Sequence, residues 1–140
     1  MNKKLWEASL EQKRNSLLYK YEKFISKKFN RNFNHKYKNI LNWSIKNSGD
    51  FWSSIWDFSK IKGLKSNYKI KRSNIFYKNI FLPKSKLNFA ENLLSKNNKD
   101  KAITFISENR FREEKSWQQL NNDVSKVCKF LKKIKIKKKD

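Results

Sequence analysis

Apolar positions near the start of the chain recur at helical spacing: Leu10, Leu17, Leu18, Tyr21, Phe24, Ile25 and Phe29 fall three, four or seven apart, with Lys and Glu on the other face. The spacing predicts one amphipathic helix over 8–29. The run Asn30-Arg31-Asn32-Phe33-Asn34-His35 ends it, because Asn favours turns and local side-chain bonds over a helix interior, and leaves His35 in a loop. Tyr37, Leu41, Trp43 and Ile45 then lead into the turn Asn47-Ser48-Gly49-Asp50. Ser48 is the expected cap of a second helix, Phe51 to about Lys60, with Asp50 well placed in its first turn. Phe51, Trp52, Ile55, Trp56 and Phe58 cover more than half of that helix, which predicts an element wedged between two surfaces, with Gly63 as its stop.

Lys65 to Arg72 reads as a polar connection with one short strand around Tyr68 to Ile70. The apolar run Ile75 to Leu82 ends at Pro83, which biases Leu82 towards an extended backbone, so the chain is expected to reach Leu87 extended. The block Leu87-Asn88-Phe89-Ala90-Glu91-Asn92-Leu93-Leu94 carries capping-box spacing, Asn88 to Glu91. It predicts a short helix, Phe89 to Leu94, with Phe89, Leu93 and Leu94 as its packing face. After a turn at Asn97-Asn98-Lys99-Asp100, Ala102 to Ile106 has strand composition, and Asn109-Arg110 turns it into a partner strand, Phe111 to Lys115. Ser116 with Gln119 makes a second capping box, and Trp117, Leu120, Val124, Val127 and Leu131 predict a helix from Trp117 to about Lys133. The closing Ile134-Lys135-Ile136-Lys137-Lys138-Lys139-Asp140 alternates like the start of a strand.

Composition restrains this picture. Of 140 residues, 37% are hydrophobic and 34% charged, with a formal net charge of +23, so the apolar supply is thin and self-repulsion large. Such a charge raises nucleic acid as a partner. Yet residues 1–70 hold sixteen basic against five acidic side chains and residues 71–140 nineteen against seven, so no basic face or half stands out. Thirty of the thirty-five basic residues are Lys, which lacks the bidentate fork of Arg. Only non-specific binding through charge is expected. The start of the chain has the positive residues of a signal peptide but no apolar run behind them, and no eighteen-residue apolar stretch occurs, so no membrane span is expected. One cysteine, Cys128, excludes a disulfide framework and suits a reducing, cytoplasmic setting.

Candidate chemistry is sparse. Two isolated glycines, Gly49 and Gly63, cannot build a phosphate loop or dinucleotide fingerprint. His35 has no Cys or second His near it and reads as a solvated loop residue. Cys128, beside Val124 and Val127, reads as a small packing residue. Asp57 and Glu91 are the carboxylates nearest the aromatic blocks; the cap explains Glu91, and Asp57 reads as a helix-face charge or an internal acceptor. Trp52 and Trp56, one turn apart, read as core rather than as base-stacking platforms. The expected count of catalytic, cofactor-binding and metal-binding residues is therefore none.

The ordered series Leu5-Trp6, Tyr37, Leu41, Trp43-Ser44, Phe51-Trp52, Trp56-Asp57-Phe58, Phe81-Leu82-Pro83, Leu87 to Leu94, Ala102-Ile103, Glu108, Trp117 and Leu120 resembles the N-terminal region of acetoacetate–CoA ligases, adenylate-forming acyl-CoA synthetases. The resemblance implies an α+β, mostly helical chain. Residues 1–95 would form an acetyl-coenzyme A synthetase N-terminal-type domain, a helical cap, and residues 96–140 the first hairpin and helix of the AMP-binding α/β domain. It implies a structural, non-catalytic role, with ATP, Mg and CoA used only by the full-length ligase and the remainder of that ligase as partner. Lys84 and Lys86 stand where the family usually has Gly and Arg after the proline, and Lys138-Lys139 where a Gly precedes the closing Asp, changes that weaken tight turns. The alternatives are a basic nucleic-acid-binding protein and an inactive product of a split or decayed ligase gene.

Overall fold

Ser9 opens the first helix with a reciprocal cap: its hydroxyl accepts the Gln12 amide at 3.1 Å while the Gln12 side chain accepts the Ser9 amide at 2.8 Å. In this computed structural model, which describes residues 6–137, that helix is α1, Leu10–Asn15, and a separate α2 runs Leu17–Phe29. The single helix expected over 8–29 is thus two. Ser16 has the extended backbone φ −65°, ψ 148°, and its hydroxyl both donates to the Lys13 carbonyl at 2.7 Å and accepts the Tyr19 amide at 3.2 Å, ending one helix and starting the next. Leu10 in α1 and Leu17 at the start of α2, both counted in the predicted stripe, are 72% and 73% exposed, so the buried part of the stripe begins further along α2, at Tyr21 and Ile25. Asn30 stops α2 as expected, in the left-handed region at φ 46°.

The segment that the sequence left without an element is a helix, α3, Tyr37–Lys46, with Ile40 and Trp43 buried. Tyr37, Leu41 and Ile45 lie on its exposed side. α4 spans Ser48–Phe58, three residues longer at its start than expected, and Asn47 rather than Ser48 occupies the cap position. Asp50 does sit in the first turn. α4 ends at Ser59 and Lys60, whose φ of 52° allows the Ile61 amide to reach back to the Trp56 carbonyl, so Gly63 is not the stop. Buried Tyr21, Ile25, Phe33, Ile40 and Trp43 form the core, and Phe24, Phe29, Phe51, Ile55 and Phe58 pack on it. Its rings meet edge-on or tilted, with Trp43 5.1 Å from Phe29 and 5.5 Å from Phe33.

Two short antiparallel pairs follow. β1, Gly63–Leu64, pairs with β4, Lys86–Leu87, and β2, Ile70–Lys71, pairs with β3, Ile80–Phe81. A turn of 3-10 helix at Phe76–Lys78 lies between β2 and β3. Leu82 is not extended: it has φ 47°, because the Ser85 amide closes a turn onto its carbonyl with Pro83 and Lys84 between them. The expected extended entry at Leu87 is present as β4.

Contacts divide the chain into two units, Met1–Leu87 and Asn88–Asp140. The second begins with α5, Phe89–Leu93, where Asn88 accepts the Glu91 amide at 3.2 Å, the forward half of the expected cap. Its expected packing face is mostly bare: Phe89 and Leu93 are 74% and 55% exposed, and only Leu94 is half-buried. β5, Lys101–Ile106, pairs antiparallel with β6, Arg112–Ser116, with an irregularity between Lys101 and Ile103. α6, Trp117–Lys133, carries the full capping box of Ser116 and Gln119. Ile134 to Ile136 do not start a strand: Lys135 at φ 60° and the Ile136 amide bonded to the Leu131 carbonyl form a helix-ending Schellman turn. Leu5 and Lys138 to Asp140, which enter the resemblance, lie outside the described residues. Helix makes up 49% of the described residues, beside small antiparallel sheets.

Candidate functional site

The carboxylate that the aromatic block places on α4, Asp57, is committed to ion pairs. Lys28 of α2 bonds its Oδ2, and Lys65, beyond β1, reaches its Oδ1 at 2.6 Å while also donating to the Ser53 carbonyl at 2.9 Å. Partial burial pulls the Asp57 carboxyl upward, but the two ammonium groups outweigh it and hold the carboxyl below its ordinary range. A carboxylate kept ionised between two lysines ties three segments together and is a poor proton donor. Glu91, its counterpart in the sequence reading, lies in the other unit, exposed and in the first turn of α5.

His35 is a loop residue with a partner that the helical pattern concealed. Its side chain is 65% exposed, its backbone amide donates to Glu22 Oε1 at 2.8 Å, and its Nδ1 lies 3.2 Å from the same oxygen. Glu22, assigned by pattern to the solvated face of the helix, is 5% exposed. A buried carboxylate needs donors, and the left-handed backbone of His35, φ 52°, turns its amide inward to supply one. Both residues line a cleft of about 480 Å³ with Leu10, Leu18, Tyr19 and Tyr37. Ser16, which also lines this cleft, is spent on the two caps between α1 and α2, so its hydroxyl is not a free nucleophile for the His–carboxylate pair.

Trp56 is buried, as expected, but Trp52 is 43% exposed and packs its ring against Phe51 at 5.1 Å and Phe81 at 5.6 Å, holding β3 to α4. Cys128 is exposed, not a packing residue. The two glycines are both structural. Gly49 is buried in α4 where an added Cβ would meet Ile70 at 3.1 Å, and Gly63 lies against β4. Among the described residues no group of three His, Cys, Asp or Glu side chains is placed to hold a metal ion. No helix of the described residues is long and apolar enough to cross a membrane.

With each candidate group of the first unit tied into the scaffold, similarity to other proteins adds what the geometry does not. Acetoacetyl-coenzyme A synthetase of Rhizobium meliloti is 28% identical over 127 residues, 91% of this chain and 19% of that protein. Acetoacetyl-CoA synthetase of Danio rerio is 24% identical over 140 residues, 97% of this chain and 20% of that protein. The chain is similar over most of its length to acetoacetyl-CoA synthetases. A malonamoyl-CoA synthetase of Penicillium aethiopicum is also similar, 29% identical over 112 residues, 74% of this chain and 16% of that protein. The chain thus spans about a fifth of the length of the acetoacetyl-CoA synthetases it matches. No family model and no solved structure matches it.

Proposed function

We propose that this chain is the N-terminal segment of an ATP-dependent acetoacetate–CoA ligase, with a structural role and no catalysis of its own. One observation carries the reading: acetoacetyl-CoA synthetases match 91% and 97% of the chain while the chain accounts for only 19% and 20% of them. The second unit supports it. Among its described residues none is buried, and polar links hold it together: Lys115 to Asp123 at 2.7 Å, the Asn121 side chain to the Lys96 carbonyl at 2.6 Å, and the Trp117 amide to the Asp100 carbonyl at 3.1 Å. A hairpin and helix with so little interior suit the opening strands and helix of a larger AMP-binding α/β domain.

The residues present do not fit ATP, magnesium or coenzyme A. Neither glycine is in a phosphate-binding loop, and Asp57 is consumed by two lysines. Those groups belong, in this reading, to the remainder of the ligase, the partner of the chain in the cytoplasm. ATP–pyrophosphate exchange with acetoacetate tests it: the isolated chain is expected to show none, and exchange above background by the pure chain overturns the structural role.

The net charge of +23 favours a second reading, a basic nucleic-acid-binding protein. Tight binding to one RNA or DNA sequence, surviving salt better than binding to others, would support it; weak, sequence-indifferent binding that collapses with salt reports charge alone. An inactive product of a split or decayed ligase gene is the third reading, and the reading frame past Asp140 separates it from the first.

A further inference from the structure

The apolar stripe of α6 is covered along only half its length. Trp117, Leu120 and Val124 are half-buried, whereas Val127, Phe130, Leu131 and Ile134 are 57%, 60%, 37% and 50% exposed. The hairpin shows the same feature, with Phe105, Ile106 and Phe111 more than half exposed. These residues sit in a unit with no buried side chain among those described, so what is exposed is the larger part of its apolar surface. Along the bare half of the stripe the sequence carries one sign of charge: no acidic residue lies between Val124 and Lys137, while Lys126, Lys129, Lys132, Lys133 and Lys135 do, of which Lys126 is paired with Asp123 at 3.6 Å.

We propose that this face of the second unit, centred on Val127 and Phe130, docks onto a protein surface with an apolar centre and an acidic rim. Resting on the function proposed above, the occupant is the remaining four-fifths of the ligase. A second copy of the chain is a poor occupant, because two +23 chains would bring lysine-rimmed faces together. An anionic lipid surface suits a lysine-flanked apolar helix, but β5 and β6 form a two-stranded sheet whose outer edges carry unpaired backbone groups. Hydrocarbon offers such edges no hydrogen bonds, and a protein strand does.

The test places this chain in the Rhizobium meliloti relative in exchange for the matched segment and measures thermal unfolding of the whole chimaera. Val127→Asp with Phe130→Asp is expected to lower its midpoint by about 5 °C or more, while Tyr77→Asp, at an 80% exposed position of the first unit, leaves it unchanged. In the isolated chain the same pair is expected to leave unfolding and sedimentation unchanged, since nothing covers the face there. Lys129→Glu with Lys133→Glu is expected to destabilise the chimaera in about 0.05 M salt and much less in about 0.5 M. No shift in the chimaera, an equal shift in the isolated chain, or a chimaera that does not unfold as one body overturns the docking face. So does flotation of the isolated chain with phosphatidylserine vesicles that Val127→Asp with Phe130→Asp abolishes, which assigns the face to lipid. An active chimaera indifferent to the pair sinks the docking face and leaves the ligase reading standing. An inactive chimaera that still shows the shift does the reverse.

Discussion

The Tyr21 hydroxyl lies 2.7 Å from the Ser54 hydroxyl, joining α2 to α4 inside the first unit. The direction of the bond follows from the neighbour: Ser54 spends its one proton on the Phe51 carbonyl at 2.7 Å, so Tyr21 donates and Ser54 accepts. Ser54 is fully buried and Tyr21 is 6% exposed, which makes the two partners unequal under mutation.

Ser54→Ala strands the Tyr21 proton in an apolar interior and is expected to cost about 1–3 kcal/mol in denaturant unfolding. Tyr21→Phe leaves Ser54 its carbonyl partner and is expected to cost about 1 kcal/mol or less. Equal losses would show that the Tyr21 hydroxyl finds water or another acceptor. The same burial, against a smaller opposing effect of Ser54, raises the Tyr21 hydroxyl above 10.0. A folded value above the unfolded one means stability intact below pH 10 that declines as pH rises through the folded value. Tyr21→Phe should therefore flatten the alkaline limb of a stability–pH curve.

Asp57 has the opposite sign. With its folded carboxyl held below 3.8, its contribution is present above that pH and is lost as pH falls through the folded value. Asp57→Asn should cost roughly 1 kcal/mol at pH 7, the upper range for a partly exposed pair, and nothing at a pH low enough to protonate Asp57. Urea midpoints for the two proteins, measured down the acid limb, should converge. Parallel curves would mean that the Lys28 and Lys65 contacts are replaced by solvent at no cost.

Of the two glycines, Gly63 makes the closer approach to a neighbouring backbone. A Cβ there would lie 2.5 Å from the Lys86 carbonyl and 2.9 Å from the Leu87 side chain, at a φ of 155°. Gly63→Ala must therefore open the β1–β4 pair, with a cost on the order of 2–3 kcal/mol. Hydrogen exchange of the 63–64 and 86–87 amides locates the damage, and unchanged protection there would contradict the pairing.

These relationships mark where the sequence was readable. Where one local rule dominated, it was sufficient: Ser116 and Gln119 cap α6, Asn30 stops α2, and Arg110, at φ 61°, completes the turn between β5 and β6. Competing local bonds were not visible in periodicity, so Ser16 broke a stripe that seemed continuous. Burial of polar groups was the other blind spot. Glu22 lies on α2 at a position that pattern gives to solvent, and only the fold brings the His35 amide, thirteen residues on, to satisfy it. A polar residue one position from Tyr21 and three from Ile25, both core residues, was the available signal. The central block beginning at Leu87 was read correctly as a capped helix but not as an exposed one, because exposure depends on what covers it rather than on its own spacing.

Lys84 completes the turn that the proline begins. The Ser85 amide bonds the Leu82 carbonyl at 3.1 Å, with Pro83 in the second position and Lys84 in the third at φ 68°. That is the arrangement in which type II turns favour glycine, because a Cβ in the left-handed region costs roughly 1–2 kcal/mol. Glycine recovers that strain but gives back about 0.5–1 kcal/mol of unfolded-state entropy. Lys84→Gly should therefore stabilise the chain by up to about 1 kcal/mol, in contrast to most substitutions of an exposed lysine, which leave stability near zero change. Lys78→Gly, in the short 3-10 turn between β2 and β3, serves as the comparison, since Lys78 is not among the residues with positive φ and glycine there should only cost stability. If both variants lose stability alike in urea titration, the turn carries no left-handed strain at Lys84, and the lysine is as well suited to the position as glycine.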